Sequence, residues 1–506
     1  MRRLVPLALL ASLTGATLAQ ADEAPTQTLK IALREDADAL DPTIARSYVG
    51  RIVFASLCDK LFDINAKMEI VPQLATGYAW ETPTTLRIDL RPGVTFHDGT
   101  AMDAEAVKYS LMRHLTMTGS GRRGEIASLD SVEIAGPLTV KLHLKSPSSP
   151  FVAQLTDRAG MIVSPKAAEA EGKDFALHPV CAGPFKFTER VAQDRIVLDR
   201  FADYWDAKDI HFARVIFQPI VNSSARLANL RAGAVDMDEW VIPSDVPTVN
   251  ADPKLQLLSS PSQGYQSINF NLAHGPRASG PISKDARVRK AFELAVDREA
   301  LTQVVFGGLL KPTASAVQEG SPFYPKSVRP GARDVDGAKK LLAEAGVKTP
   351  LTVTMNVPNS PEVIQLAEVV QAMVGEAGFD LKLNTMEFAT SLDAADRGDF
   401  EAYMIQWSGR PDADGNLWNF IHTGGALNYA AYSNPDVDRA LEEARASADV
   451  AARAALYDKA ETQSHADLPI MYLYGNRNLL GASAKVAGFV PAPDGLIRLQ
   501  GVTLAK

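Results

Sequence analysis

Cysteine is scarce in this chain: 506 residues contain two, Cys58 and Cys181. Two cysteines without clustered histidines exclude a structural zinc site. The eight histidines, at 97, 114, 143, 178, 211, 274, 422 and 465, include no i, i+4 pair and no His-Glu-x-x-His run, so the zinc-hydrolase pattern is missing. A G-x-S-x-G nucleophile elbow and a P-loop are also absent. The single G-x-G-x-x-G match, Gly119 to Gly124, follows a helical segment where a dinucleotide site needs a strand, and reads as a flexible loop. Positive charge is not in excess: 52 Lys and Arg against 60 Asp and Glu give a formal net charge of −8, which leaves no footprint for nucleic acid or anionic lipid. Beyond the first 18 residues no stretch approaches the ~20 apolar residues of a membrane-spanning helix.

What is present begins at the N-terminus. Arg2 and Arg3 precede an apolar run from Leu4 to Leu18, then Ala19-Gln20-Ala21 and the polar Asp22-Glu23. This is the order of a cleavable secretory signal over residues 1–21, with maturation before Asp22 and no cysteine at the cut for a lipid anchor. Export places the two cysteines in an oxidising compartment, where an even count favours a Cys58–Cys181 disulfide over two buried thiols.

The remainder alternates strand-like and helical segments without repeats, a mixed α/β pattern. Thr28 to Leu33 and Thr85 to Leu90 read as strands, and Ser47 to Phe62 as an amphipathic helix. Asp103 caps a helix that carries Glu105 in its first turn. Leu129 to Ile134 and Thr139 to Leu144 flank a hairpin turn. Leu351 to Val357, Glu362 to Ala377 and Asp380 to Met386 form a βαβ unit. Tyr403 to Gln406 is a further strand, and Pro435 to Ala446 and Ala451 to Ala466 are the last long helices. No Pro/Ser-rich linker interrupts these elements, which predicts lobes joined by close crossings.

Several segments occur in one order: Leu40-Asp41-Pro42, Leu57 to Phe62 (LCDKLF), Arg87 to Gly99 (RIDLRPGVTFHDG) and Ala104 to Leu111, then Ala182 to Phe187 (AGPFKF), Tyr204-Trp205, Asp285 to Ala291 with Asp297-Arg298, Ala338 to Gly346, and Pro469 to Tyr472. Together they resemble the peptide/opine/nickel family of extracytoplasmic solute-binding proteins, over nearly the whole mature chain. The resemblance implies a two-lobed class II periplasmic-binding-protein fold in its large three-domain form, with the ligand cleft at the hinge. Its implied division is residues 22–55, 165–262 and 478–506 for lobe I, 56–164 for an accessory subdomain on lobe I, and 263–477 for lobe II. It also implies a periplasmic location, an ABC permease with cytoplasmic ATPases as partner, a monomer, no cofactor and no metal. The expected activity is capture of a short peptide, opine or related acidic amino-acid-derived solute by hinge closure, without catalysis. A periplasmic sensor or chaperone-like peptide holder, and a periplasmic hydrolase, are the alternatives.

The implied cleft lies between Asp41 to Phe62 with Val180 to Pro184 on one side and Gly264 to Phe270 with Trp407 to Asn416 on the other. Peptide binders of the family hold the peptide ammonium on an Asp shortly after the equivalent of Trp407. This chain departs from that pattern with Arg410, whose forked donors suit a carboxylate or phosphate of the solute. The alternative is an Arg410–Asp412 pair within a turn. Asp412 and Asp414 are the alternative acids for an amine, Ser408 lies beside Trp407, and Tyr265, Trp407 and Trp418 are candidate aromatic walls. Arg34 and Arg46 are candidate ligand contacts at the first crossing. His97 reads as a turn hydrogen-bonder, Arg287 and Arg289 as partners of acids or sheet edges, and Trp205 as packing.

Overall fold

The computed structural model describes residues 25–505; the expected signal segment lies outside them. An eleven-stranded mixed sheet runs through the molecule. From one edge its order is Phe379–Met386, Leu351–Pro358, Ala402–Trp407, Leu255–Phe270, Ile470–Ser483, Met237–Asp238, Thr28–Leu33, Arg214–Pro219, Arg195–Arg200 and Phe185–Val191, with Lys311–Pro312 added on Ile470–Ser483. A separate four-stranded antiparallel sheet is built from Ala75–Thr82, Thr85–Leu90, Thr139–Leu144 and Leu129–Gly136.

Apolar side chains sort into distinct cores around these sheets. One gathers Leu29, Ile31, Val53, Phe185, Val215 and Leu480. A second gathers Ile268, Val288, Phe292, Val353, Val370 and Met404. A third fills the small sheet with Leu86, Ile88, Val107, Leu111, Val140 and Phe151. The first and second are the two lobes of a mixed α/β protein, and the small sheet packs its own core beside the first. Two long strands cross between the lobes. Leu255–Phe270 pairs antiparallel with Ile470–Ser483 from Leu255↔Ser483 to Asn269↔Ile470, and the register is interrupted between Pro261 and Tyr265.

Local chemistry explains most element ends. The strand expected from Thr28 to Leu33 has those bounds. Asp103 caps Ala104–Thr116 by accepting the Ala106 N–H at 3.0 Å. The βαβ unit is present: Leu351–Pro358 and Phe379–Met386 pair in parallel around helix Pro361–Glu376. The helix expected over Ser47 to Phe62 ends earlier, spanning Tyr48–Leu57. Ser47 is its cap, and Cys58 turns to an extended conformation. The chain leaves the helix there because Cys58 bonds to Cys181 and Asp59 is anchored elsewhere. The Asp59 carboxylate accepts from Tyr204 Oη–H at 3.0 Å and Trp205 Nε1–H at 2.8 Å, so Trp205 packs and also donates. His97 bonds the Gly183 carbonyl at 3.0 Å. Arg287 pairs with Asp285 at 2.7 Å, and Arg289 donates to the Asp467, Ile282 and Ser283 carbonyls.

Candidate functional site

Strand Thr28–Leu33 lies mid-sheet, and the chain leaves its C-terminal end as Arg34-Glu35, where open α/β sheets place their ligands. Across the gap, strand Ala402–Trp407 ends beside Tyr265, its register partner at Trp407. Between these ends lies a cavity, and a second compartment shares Arg34, Glu35, Trp240, Gln406 and Asn476 with it. Contacts across the lobes close this space. Arg34 donates to Gln406 Oε1 at 3.2 Å. Arg46 pairs with Asp396 and, at 3.2 Å, with Asp393 on helix Phe388–Asp396. Gln154 of the small-sheet unit donates to Asp414 at 3.1 Å.

Five of the seven expected ligand-contact residues, Arg34, Arg46, Tyr265, Trp407 and Ser408, line the first of these compartments. Their chemistry differs. Arg34 forms a bidentate pair with Glu239, at 2.7 and 2.8 Å, so its charge is already matched. Trp407 donates its indole N–H to Asn416 Oδ1 at 2.8 Å and offers the cavity its ring. Ser408 Oγ accepts from Arg51 at 2.9 Å. Tyr265 is 1% exposed, and its hydroxyl has no hydrogen-bond partner among the described residues. A buried hydroxyl left in that state needs a partner from the cavity.

The other two residues stand elsewhere. Arg410 is 4% exposed and does not line the cavity. Its guanidinium lies 4.2 Å from the Trp407 ring centroid, 3.3 Å from Asp157 and 4.0 Å from Glu125. Asp412 pairs with Arg453 at 2.6 Å, so an Arg410–Asp412 turn pair does not form. Trp418 is also off the cavity, stacked on His422 with the Arg445 guanidinium over it. On the expected first side, Val180 to Pro184 stays out of the lining. For Arg410 the cause is local: its backbone is folded inward by Asn416, whose side chain accepts the Arg410 N–H at 2.8 Å and donates to its carbonyl at 3.1 Å.

Sequence reasoning missed the arginines that do reach the cavity. Arg122 lies in the Gly119–Gly124 loop, and Arg158 opens a short 3₁₀ turn after Asp157. Both donate to the Ala45 carbonyl, at 3.2 and 2.7 Å, which aims the two guanidiniums at one end of the cavity. Arg158 is 1% exposed, and its Nε lacks a hydrogen-bond partner among the described residues, as does Arg122 Nε. Burial, with Arg122 adding repulsion, pushes the Arg158 guanidinium well below its ordinary range. Behind them stand Arg51, paired with Asp157 at 2.6 Å, and Arg410, pushed down to about 10 by burial. Four guanidiniums, Arg51, Arg122, Arg158 and Arg410, thus meet two carboxylates, Asp157 and Glu125. The second compartment has the opposite character, lined by Asp36, Glu362 and Glu387 as well as Glu35. Burial raises the Glu35 carboxyl to about 8.

A cavity walled by aromatic rings, lined by a few convergent polar groups and closed between lobes has the make-up of a small-molecule site. Residues 69–428 match the family model described as bacterial extracellular solute-binding proteins, family 5 middle. The chain belongs to that family. Its members bind solutes and are not enzymes, and among the described residues no helix is long and apolar enough to cross a membrane. The glutathione-binding protein GsiB of Pectobacterium atrosepticum is 28% identical over 489 residues, covering 94% of each chain. GsiB of Salmonella typhimurium is 28% identical over 478 residues, covering 92% of each. Among solved structures, the periplasmic binding protein AgaA of A. tumefaciens R10 in complex with agropinic acid superposes with a TM-score of 0.87 at 25% identity, covering 95% of this chain and 99% of that one. The Escherichia coli murein tripeptide-binding protein MppA superposes at 0.88 and 24% identity, covering 96% and 99%.

Proposed function

We propose that this chain is the periplasmic solute-binding subunit of an ABC importer for a short acidic peptide or peptide-like conjugate, of the size and charge of glutathione or an opine. The observation that carries this reading is the pair Arg122 and Arg158 at one end of the cavity: each buried Nε lacks a hydrogen-bond acceptor among the described residues, and their cluster sets the four guanidiniums of Arg51, Arg122, Arg158 and Arg410 against the two carboxylates of Asp157 and Glu125. A guanidinium in that state favours a carboxylate, because two oxygens match its donors and burial strengthens the pair. The acidic lining of the neighbouring compartment suits the amino group of the same solute. GsiB carries glutathione in its name and AgaA was solved with agropinic acid, both amino-acid-derived acids, which supports the same class.

The lobes divide at 22–55, 165–262 and 478–506 for the first, 263–477 for the second and 56–164 for the accessory unit; the second core, all of whose members fall within 263–477, supports that division. Residues 1–21 are removed on export, the mature protein is a monomer, and closure of the lobes around the solute is what the permease reads.

The test is titration calorimetry with glutathione, dipeptides and agropinic acid. At least one binds to wild type, and Arg158→Gln weakens it about tenfold or more, the scale of one lost charge-assisted hydrogen bond. No heat from any of these acids, alongside a fitted isotherm for a neutral sugar, would overturn the reading.

A further inference from the structure

We infer that Arg410 is a specificity-determining residue that never touches the solute: it makes closure of the lobes conditional on an anionic guest. The inference rests on the proposed carboxylate site and concerns how that site is regulated.

The argument is one of charge brought together by motion. Arg410 follows strand Ala402–Trp407 in the second lobe, whereas Arg51 belongs to helix Tyr48–Leu57 of the first. Arg122, Glu125, Asp157 and Arg158 belong to the small-sheet unit packed beside that first lobe. The first lobe and its companion therefore hold three guanidiniums against two carboxylates before the lobes meet, and closure adds a fourth. Arg410 arrives within 3.3 Å of Asp157, which Arg51 already occupies at 2.6 Å. Its second approach, 4.0 Å to Glu125, meets a carboxylate already paired with Arg122. Two of its nitrogens, Nε and Nη2, make no hydrogen bond among the described residues, so the ion pairing is incomplete. Its Nη1 donates to the Gly409 carbonyl at 2.8 Å, but burying a surplus positive charge whose other donors are unmatched is costly, and the cost of bringing it against the three guanidiniums of the first lobe and its companion falls on the closed form alone. A carboxylate on Arg122 and Arg158 supplies the missing counter-charge to the cluster. It therefore stabilises closure beyond its own contacts, and a neutral isostere does not. Trp407 links the two layers, since its ring forms cavity wall on one side and faces the Arg410 guanidinium at 4.2 Å on the other.

The alternative role is a strut, in which the Arg410–Asp157 contact holds the lobes together. The two roles predict opposite signs. Small-angle scattering is recorded on ligand-free full-length protein, wild type and Arg410→Met, with circular dichroism as the folding control. The latch predicts a smaller radius of gyration for Arg410→Met than for wild type, a shift towards the closed form. An equal or larger radius would sink it. In calorimetry with glutathione and its diamide, in which both carboxylates are capped, the wild-type preference for the acid falls about tenfold in Arg410→Met; an unchanged preference counts against the latch. Should Arg410→Met not fold, Glu125→Gln serves instead. It raises the surplus, so the ligand-free protein opens further, and a more compact ligand-free form would refute the charge argument. Failure of wild type to bind glutathione would count against the proposed solute class, whereas the scattering comparison decides the latch by itself.

Discussion

Glu35 sets the residue-scale chemistry at the junction of the two compartments. Burial raises its carboxyl to about 8, and the charges facing it are Arg34, which lowers it, and Glu239, Asp38 and Glu387, which raise it further. In the empty cavity it therefore holds its proton at neutral pH. A solute ammonium placed there favours the carboxylate, so the complex binds fewer protons than the free protein, and affinity must rise with pH up to about 8 and then level off. The ceiling is about tenfold per pH unit. Glutathione titrated between about pH 6 and about pH 8 should show this rise, together with proton release measured in buffers of different ionisation enthalpy. Glu35→Gln should flatten the profile, and a flat wild-type profile would remove Glu35 from the ammonium site. Residue-scale chemistry was only half legible in the sequence. Arg34 and Trp407 follow strands that the sequence shows, Thr28 to Leu33 and Tyr403 to Gln406, so their place at the gap could be read, whereas Arg46 and Tyr265 have no such strand end before them. Arg410 could not be placed, because its inward turn depends on a hydrogen-bonded Asn416 six residues on. Arg122 was hidden in a glycine-rich loop whose motif pointed to a chemistry the chain does not perform, leaving no reason to look at its arginines.

Among the elements, the two interlobe strands matter most and were the least legible. Leu255–Phe270 contains Ser259-Ser260-Pro261-Ser262-Gln263-Gly264, which reads as a turn because Pro, Gly and Ser punctuate local structure. Tertiary pairing overrides that signal: the strand continues through the register break because Ile470–Ser483 runs alongside on both sides of it. The break places Gly264 where the chain passes between lobes. A Cβ there would lie 2.2 Å from the Trp407 carbonyl oxygen and 3.0 Å from the Ser408 carbonyl carbon, backbone atoms that cannot swing away. Gly264→Ala must displace the segment that carries Trp407 and Ser408 into the cavity. The expected cost is about 1–3 kcal/mol of stability, the range for overpacking, with affinity for the bound acid reduced as well. Denaturant melts and calorimetry measure the two, and unchanged values in both would show that this crossing has slack. By contrast, the βαβ unit and the capped helices were legible because each is specified within about 30 contiguous residues.

On the scale of the whole molecule, one covalent bond joins distant parts of the chain. Cys58 ends the helix whose first turns hold Tyr48 and Arg51, and Cys181 precedes strand Phe185–Val191; their Cα atoms are 4.9 Å apart across a sequence separation of 123. The loop so closed contains the entire small-sheet unit, including Arg122, Glu125, Asp157 and Arg158. Its bonding was readable from the even count and the export signal, although its place at a helix end was not. Chain-entropy arguments for a loop of this length give about 5 kcal/mol of stabilisation as an upper value. The bond acts mainly on the unfolded ensemble, so the native cavity should survive its loss. The double variant Cys58→Ser/Cys181→Ser should therefore unfold at a markedly lower urea concentration while binding the same solute within a few-fold, because the Arg51–Asp157 pair and the third core still position the guanidiniums. Thiol titration of the oxidised wild type should find no free sulfhydryl. If the double variant keeps its urea midpoint, the unfolded chain gains little freedom from the cut. If it keeps its midpoint but loses its solute, the bond positions the binding site instead of stabilising the fold.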